Sequence, residues 1–207
     1  MALVLLSAAA VALVVGLAVV FGRDDSGPSR GATSTFRFDA AGALEGGLEA
    51  VSGRVELADG RAVATAASAD EPAVALVDRQ SRDGRLTVVA SDPAPGWGVV
   101  VRWESAERYW FVAVPDDGGA LALGRVRDGR TTVLARASGP LLAAGVTVDV
   151  RYDDNRVDLR VDGDLVASAR GRSVSGLGVG LRATAVGPMW DDLTVGPRPR
   201  PVVRPDG

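Results

Sequence analysis

The sequence predicts an all-β protein, a two-sheet antiparallel sandwich, preceded by one N-terminal transmembrane helix. Three observations carry this expectation. Residues 2–21, ALVLLSAAAVALVVGLAVVF, form an apolar run without a charge. Beyond residue 22 hydrophobic residues alternate with period two, and no stretch keeps a helical period over three turns. Asp-Gly pairs recur at 59–60, 83–84, 117–118, 128–129 and 162–163, and this dipeptide suits the φ > 0 positions of tight hairpin turns.

The apolar run is twenty residues long. A helix rising about 1.5 Å per residue spans the ~30 Å hydrocarbon core at that length. No basic residue precedes the run, and it exceeds the ~7–15 apolar residues of a secretory signal. A retained anchor is therefore the reading, with cleavage near Val20-Phe21-Gly22 as the alternative. Arg23 favours a cytoplasmic C-terminal side, but long domains translocate largely regardless of such charges. The expectation is a single-pass protein of the cell membrane with its domain outside the cytoplasm.

After the anchor (1–22) comes a polar Gly/Ser/Pro linker (23–34). The sandwich is expected over 35–196. Residues 197–207 follow as a Pro/Arg-rich tail without apolar periodicity, expected to be disordered. The clearest strands lie late in the sandwich. In VTVDVRYDD, Val146, Val148, Val150 and Tyr152 face one way and Thr147, Asp149 and Arg151 the other. In RVDLRVDG, Val157, Leu159 and Val161 oppose Asp158, Arg160 and Asp162, and Leu165, Ala167 and Ala169 continue the pattern. Such strands bury one face and wet the other. About twelve to fourteen strands are too many for one flat sheet, so two sheets packed face to face follow.

Composition narrows function by exclusion. Acidic residues number 26 against 23 basic, without the basic surplus of a nucleic-acid binder. All the basic residues are Arg, as coding bias in a GC-rich genome would give. Cysteine and histidine are absent, which removes disulfides, thiolate nucleophiles, Ser-His-Asp and Cys-His triads and HExxH zinc sites. No catalytic residue is assigned. An enzyme built from this chain would work through carboxylates, Tyr, Ser or Arg.

Residues 96–195 contain a G-x-V-x-R-W-x(5)-Y-W hairpin, an L-x-V-D-G-x-L-V hairpin and a closing GLGVGL…WDDLTV. This pattern resembles the concanavalin A-like lectin/glucanase jelly roll, most nearly the laminin-G-like modules and the domain of the 3-keto-disaccharide hydrolase family. TFRFD, RVELADGRAVATA, AVALVD and GRLTVVA fit its opening strands more loosely. The resemblance implies a jelly roll over roughly 33–196 whose final strand runs beside the first. The architecture hosts lectins, hydrolases, adhesion modules and spacers, so it does not specify function. The family's glucanases use an E-x-D-x-x-E carboxylate set, which is missing here. Glu45, Glu49 and Glu56 are too far apart to replace it, and the calcium loops of legume-type lectins have no clear counterpart.

GWGVVVRWESAERYWFVAV, residues 96–114, holds five of the ten aromatic residues. Strand parity puts Val99, Val101 and Trp103 on one face and Val100, Arg102 and Glu104 on the other. On the return strand Tyr109, Phe111 and Ala113 oppose Trp110, Val112 and Val114. Buried rings fill a sandwich well. Exposed rings stack on the apolar faces of sugars, while neighbouring Arg and Glu bond the hydroxyls. Both readings stand at this point. The candidate ligand residues are Arg102, Trp103, Tyr109 and Trp110.

Parity in MWDDLTV places Asp191 with the inward Leu193 and Val195, and Trp190 with Asp192 on the other side. A buried carboxylate needs a partner. The options are an ion pair with an Arg such as Arg37, a bulge that turns Asp191 outward, or a structural Ca²⁺. No other cofactor or metal is implied.

The functional expectation is a membrane-anchored, extracytoplasmic, non-catalytic module binding glycan or cell-envelope polysaccharide. A structural domain contacting an envelope protein partner, and a glycoside hydrolase-like enzyme, are the alternatives.

Overall fold

The computed structural model describes residues 33–38, 47–68, 70–77, 81–137, 142–171 and 174–198. The expected membrane span at 2–21, nearly all of the linker and nearly all of the tail lie outside the described residues. Among those described there are fifteen strands, and no helix is long and apolar enough to cross a membrane.

The strands form two antiparallel sheets. The eight-stranded sheet runs β13 (Asp164–Arg170), β12 (Arg156–Val161), β11 (Val146–Tyr152), β6 (Gly84–Asp92), β15 (Met189–Gly196), β4 (Arg61–Ala66), β3 (Arg54–Ala58). The first strand, β1 (Ser34–Phe36), also pairs with β15, Phe36 opposite Leu193. The final strand thus runs beside the first, as the resemblance implied. The seven-stranded sheet runs β10 (Arg130–Arg136), β9 (Ala122–Arg127), β8 (Arg108–Ala113), β7 (Trp97–Ser105), β14 (Gly178–Ala183), β5 (Ala73–Val77), β2 (Leu48–Ser52).

Three Asp-Gly pairs make the turns expected of them. Asp59-Gly60, Asp128-Gly129 and Asp162-Gly163 each hold two successive positive φ angles and close the β3–β4, β9–β10 and β12–β13 hairpins. This is the twist that type I′ turns share with paired strands. Asp83-Gly84 differs: Gly84 begins β6 opposite Tyr152, whose ring occupies the place a Cβ would take. β2 was not foreseen. Its sequence, LEAVS, buries only Leu48 fully and pairs along one edge, so it shows no alternation.

The apolar faces of both sheets meet in one core. Val148, Val150 and Tyr152 of β11 and Val157 and Leu159 of β12 share it with Val99, Val101, Val112, Val179 and Leu181 of the other sheet. Each buried side chain of this kind contributes about 1.5–3 kcal/mol. Two tryptophans stitch the layers. Trp97 Nε1 donates to Met189 O across the core at 3.1 Å, and Trp190 Nε1 donates back to Gly98 O at 3.0 Å. Their rings lie 6.3 Å apart.

Three expectations about parity are corrected. In β7 the pairing with β8 shifts between Val101 and Ser105, and Arg102 sits at φ 59°. A residue in this left-handed conformation reverses the alternation, so Trp103 leaves the face of Val99 and Val101 and joins Val100. In β15 the register shifts between Asp191 and Thr194, with Asp192 at φ 42°. Trp190 therefore enters the core with Leu193 and Val195, and Asp192 points to solvent. Half-buried Asp191 accepts from the Asp192 N–H at 2.9 Å. The bulge turns Asp191 out of the core, as one of the three options had it. Leu165 is 49% exposed, because the β12–β13 register shifts at Arg160 and Val166 packs on the core in its place.

Candidate functional site

The outer faces of the two sheets differ in character. On the eight-stranded sheet the outward residues are charged and paired. Asp149 of β11 accepts from Arg85 Nε at 2.9 Å and Arg151 Nη2 at 3.1 Å. Asp158 of β12 accepts from Arg156 Nε and Ser168 Oγ, both at 2.7 Å. These buried carboxylates are each paired with arginine. Among the described residues no group of three or more His, Cys, Asp or Glu is placed to hold a metal ion.

The outer face of the seven-stranded sheet is apolar and aromatic. Cross-strand partners share a face. Phe111 of β8 lies between Gly124 of β9 and Val100 of β7, and Val100 faces Gly180 of β14, which faces Leu76 of β5. Gly124 is required there, since the Phe111 ring fills the space of its Cβ. One step along, Tyr109 sits beside Val126, and Trp103 lies opposite Gly178. The Trp103 and Tyr109 rings are 4.7 Å apart with planes tilted by 31°, and Tyr109 meets Phe111 edge-on at 6.3 Å. Arg182 of β14 runs along this surface. Its guanidinium carbon lies 4.9 Å from the Phe111 centroid and 6.0 Å from that of Tyr109. Its side chain makes no ion pair among the described residues, and its buried Nε has no hydrogen-bond partner.

Of the four residues singled out from sequence, the structure brings two together on this face: Trp103, half-buried, and Tyr109, 2% exposed. Trp110 belongs to the inter-sheet core on the other side of β8. Arg102 is spent inside the molecule. Its Nε donates to Val174 O at 2.9 Å, its Nη1 to Arg82 O at 2.6 Å, and its guanidinium pairs with Asp154 at 3.3 Å. Glu104, considered with Arg102 for hydroxyl recognition, is exposed at the strand end. The hydrogen bond from Ser175 Oγ, with Arg108 beside it, holds its carboxyl below the usual carboxylate value.

Sequence reasoning missed Phe111 and Arg182. Parity already put Phe111 with Tyr109. Arg182 stands out in GVGLRA, where Val179 and Leu181 point inward and the intervening outward positions are glycine until an arginine appears. The arginine beside the rings is therefore Arg182 and not Arg102.

No family model matches this chain, and no curated protein does. Solved structures match at the level of fold. A carbohydrate-binding module, CBM66, from Bacillus subtilis shares 15% identity over 72% of this chain and 91% of its own, with a TM-score of 0.57. A galectin-like protein of unknown function from Bacillus subtilis gives 12% identity, 82% and 97% coverage and 0.59. A β-1,3-1,4-glucanase (lichenase) from a mouse hindgut metagenome gives 12%, 80% and 99%, and 0.58. The chain has the concanavalin A-like jelly-roll fold. At such identities the likeness carries the fold and nothing about activity.

Proposed function

We propose that this chain is a non-catalytic jelly-roll module that binds glycan, displayed outside the cytoplasm on a membrane anchor formed by residues 2–21. The observation that carries the binding reading is the ring cluster of Trp103, Tyr109 and Phe111 with Arg182, on the outward face of the seven-stranded sheet. Sugars present apolar faces to rings and hydroxyls to polar groups, and the half-buried Trp103 is the ring open to such a contact, with Tyr109 and Phe111 buried behind it. The partly open ring of Trp103 makes the stacking contact, backed by Tyr109. Arg102 ties β7 to the segments carrying Arg82 and Val174, and Trp110 packs in the inter-sheet core. The fold is shared with a carbohydrate-binding module and a glucanase, which supports a saccharide as the ligand class.

A glycan array with residues 33–207, which contain every strand of both sheets, tests this reading. Binding that Trp103→Ala removes supports it, and binding that survives Trp103→Ala places the site elsewhere. Protease accessibility of the domain in intact cells tests the orientation. A second reading follows from the half-buried apolar Leu76 and Trp103 on this face: it docks an envelope protein. Capture of a protein with no glycan bound would favour it.

A further inference from the structure

Among the described residues Arg182 is a charge without a counter-charge. It is 7% exposed, its Nε lacks a hydrogen-bond partner, and its guanidinium lies over the faces of Phe111 and Tyr109. The other buried charges do not share this condition. Arg102 holds two carbonyls and Asp154, and Asp149 and Asp158 are each paired with arginines. With its Nε buried and unbonded, the guanidinium keeps part of its desolvation cost, since stacking on an aromatic face recovers only some of it. An apolar side chain would suit the surroundings of Val74, Val100 and Ala113 better. An anionic ligand would supply the missing counter-charge. Guanidinium groups pair with carboxylates through two parallel N–H···O bonds.

We infer that this face selects acidic sugars: the carboxylate of a uronic acid pairs with Arg182 while the sugar ring stacks on Trp103. The inference rests on the glycan-binding reading and narrows its ligand class. Tyr109 links the two contacts, 4.7 Å from Trp103 and 6.0 Å from the Arg182 guanidinium carbon. That places the ring platform and the cation within the compass of one or two sugar units.

The test is affinity electrophoresis of the full chain in detergent against polygalacturonate, alginate and hyaluronan, each run beside its carboxyl-reduced, neutral counterpart. The expected result is at least one acidic polymer retarding the protein about tenfold more strongly than its reduced form, with the preference fading as salt rises. Arg182→Met keeps side-chain length and ring contacts while removing the charge. It is expected to abolish the preference and leave the thermal midpoint unchanged or higher, an outcome a structural arginine would not give. Should that variant fail to fold, the acid-against-reduced comparison on the unaltered chain decides alone. Equal, Trp103-dependent binding of acidic and reduced polymers overturns the acidic selectivity and leaves the glycan reading standing. Binding of no acidic polymer overturns it as well, and the glycan array then decides the broader reading separately.

Discussion

Replacing Trp110 of β8 and Trp103 of β7 separately by alanine tests the division between the two faces of the seven-stranded sheet. The tryptophans lie seven positions apart and look alike in the sequence. Trp110 is 2% exposed in the inter-sheet core, where truncating a large aromatic costs about 3–5 kcal/mol. In a domain of ~150–250 residues each kcal/mol moves the midpoint by ~2–4 °C, so Tm falls by ~6–20 °C. Trp103 is half-buried and its principal ring contact is Tyr109, a pair worth about 1 kcal/mol, or a few degrees. Ligand binding reverses the order. Covering ~50 Å² of the Trp103 ring at ~25 cal/mol per Å² contributes ~1.3 kcal/mol, close to tenfold in Kd. Calorimetry gives the midpoints and affinity electrophoresis the binding. Trp103→Ala should weaken binding with little loss of Tm, while folded Trp110→Ala should bind normally. Equal destabilisation by both substitutions, or a binding loss confined to Trp110→Ala, would refute the assignment of faces.

Three further outcomes follow from named contacts. Arg102→Lys keeps the charge but loses the fork that serves Val174 O and Arg82 O. Leaving buried carbonyls unsatisfied costs about 2–4 kcal/mol, read as a lower urea midpoint at unchanged slope. Asp192, at φ 42°, should tolerate Gly or Asn within ~0.5 kcal/mol and lose ~1–2 kcal/mol as Val, because β-branched residues resist the left-handed region. Asp153 tests pH dependence. Partial burial raises its carboxyl pKa, but the N–H groups of Asn155 and Arg156 and the Arg198 guanidinium outweigh this and hold it below the ordinary 3.8. A carboxyl depressed in the fold contributes stability fully present above its unfolded pKa and lost as pH falls through the folded one. The Tm gap between the unaltered chain and Asp153→Asn should therefore hold from pH 7 down to about pH 5 and close below about pH 4.

Much of the fold was legible because alternation reports burial directly. Val148, Val150 and Tyr152 point inward as their spacing says, and Asp59-Gly60, Asp128-Gly129 and Asp162-Gly163 turn as their chemistry requires. The misplaced side chains share a cause. Parity holds only while a strand stays regular, and one residue at positive φ inverts everything beyond it. Asp192 is a residue type that tolerates such a φ. Arg102 carries no such mark, so the outward turn of Trp103 could not be read from the chain. The site was half legible for the same reason. Tyr109 and Trp103 share a face only through the Arg102 bulge, and Arg182 becomes conspicuous only once its neighbours prove to be the rings of Phe111 and Tyr109.

The central claim, a glycan face on the outside of the seven-stranded sheet, is tested most directly by the indole N–H signals of the four tryptophans in an NMR titration. Adding a bound oligosaccharide should move the Trp103 signal. Trp97 and Trp190, whose indoles donate to Met189 O and Gly98 O across the core, should stay where they are. A titration in which Trp103 is unmoved while the ligand demonstrably binds would contradict the account.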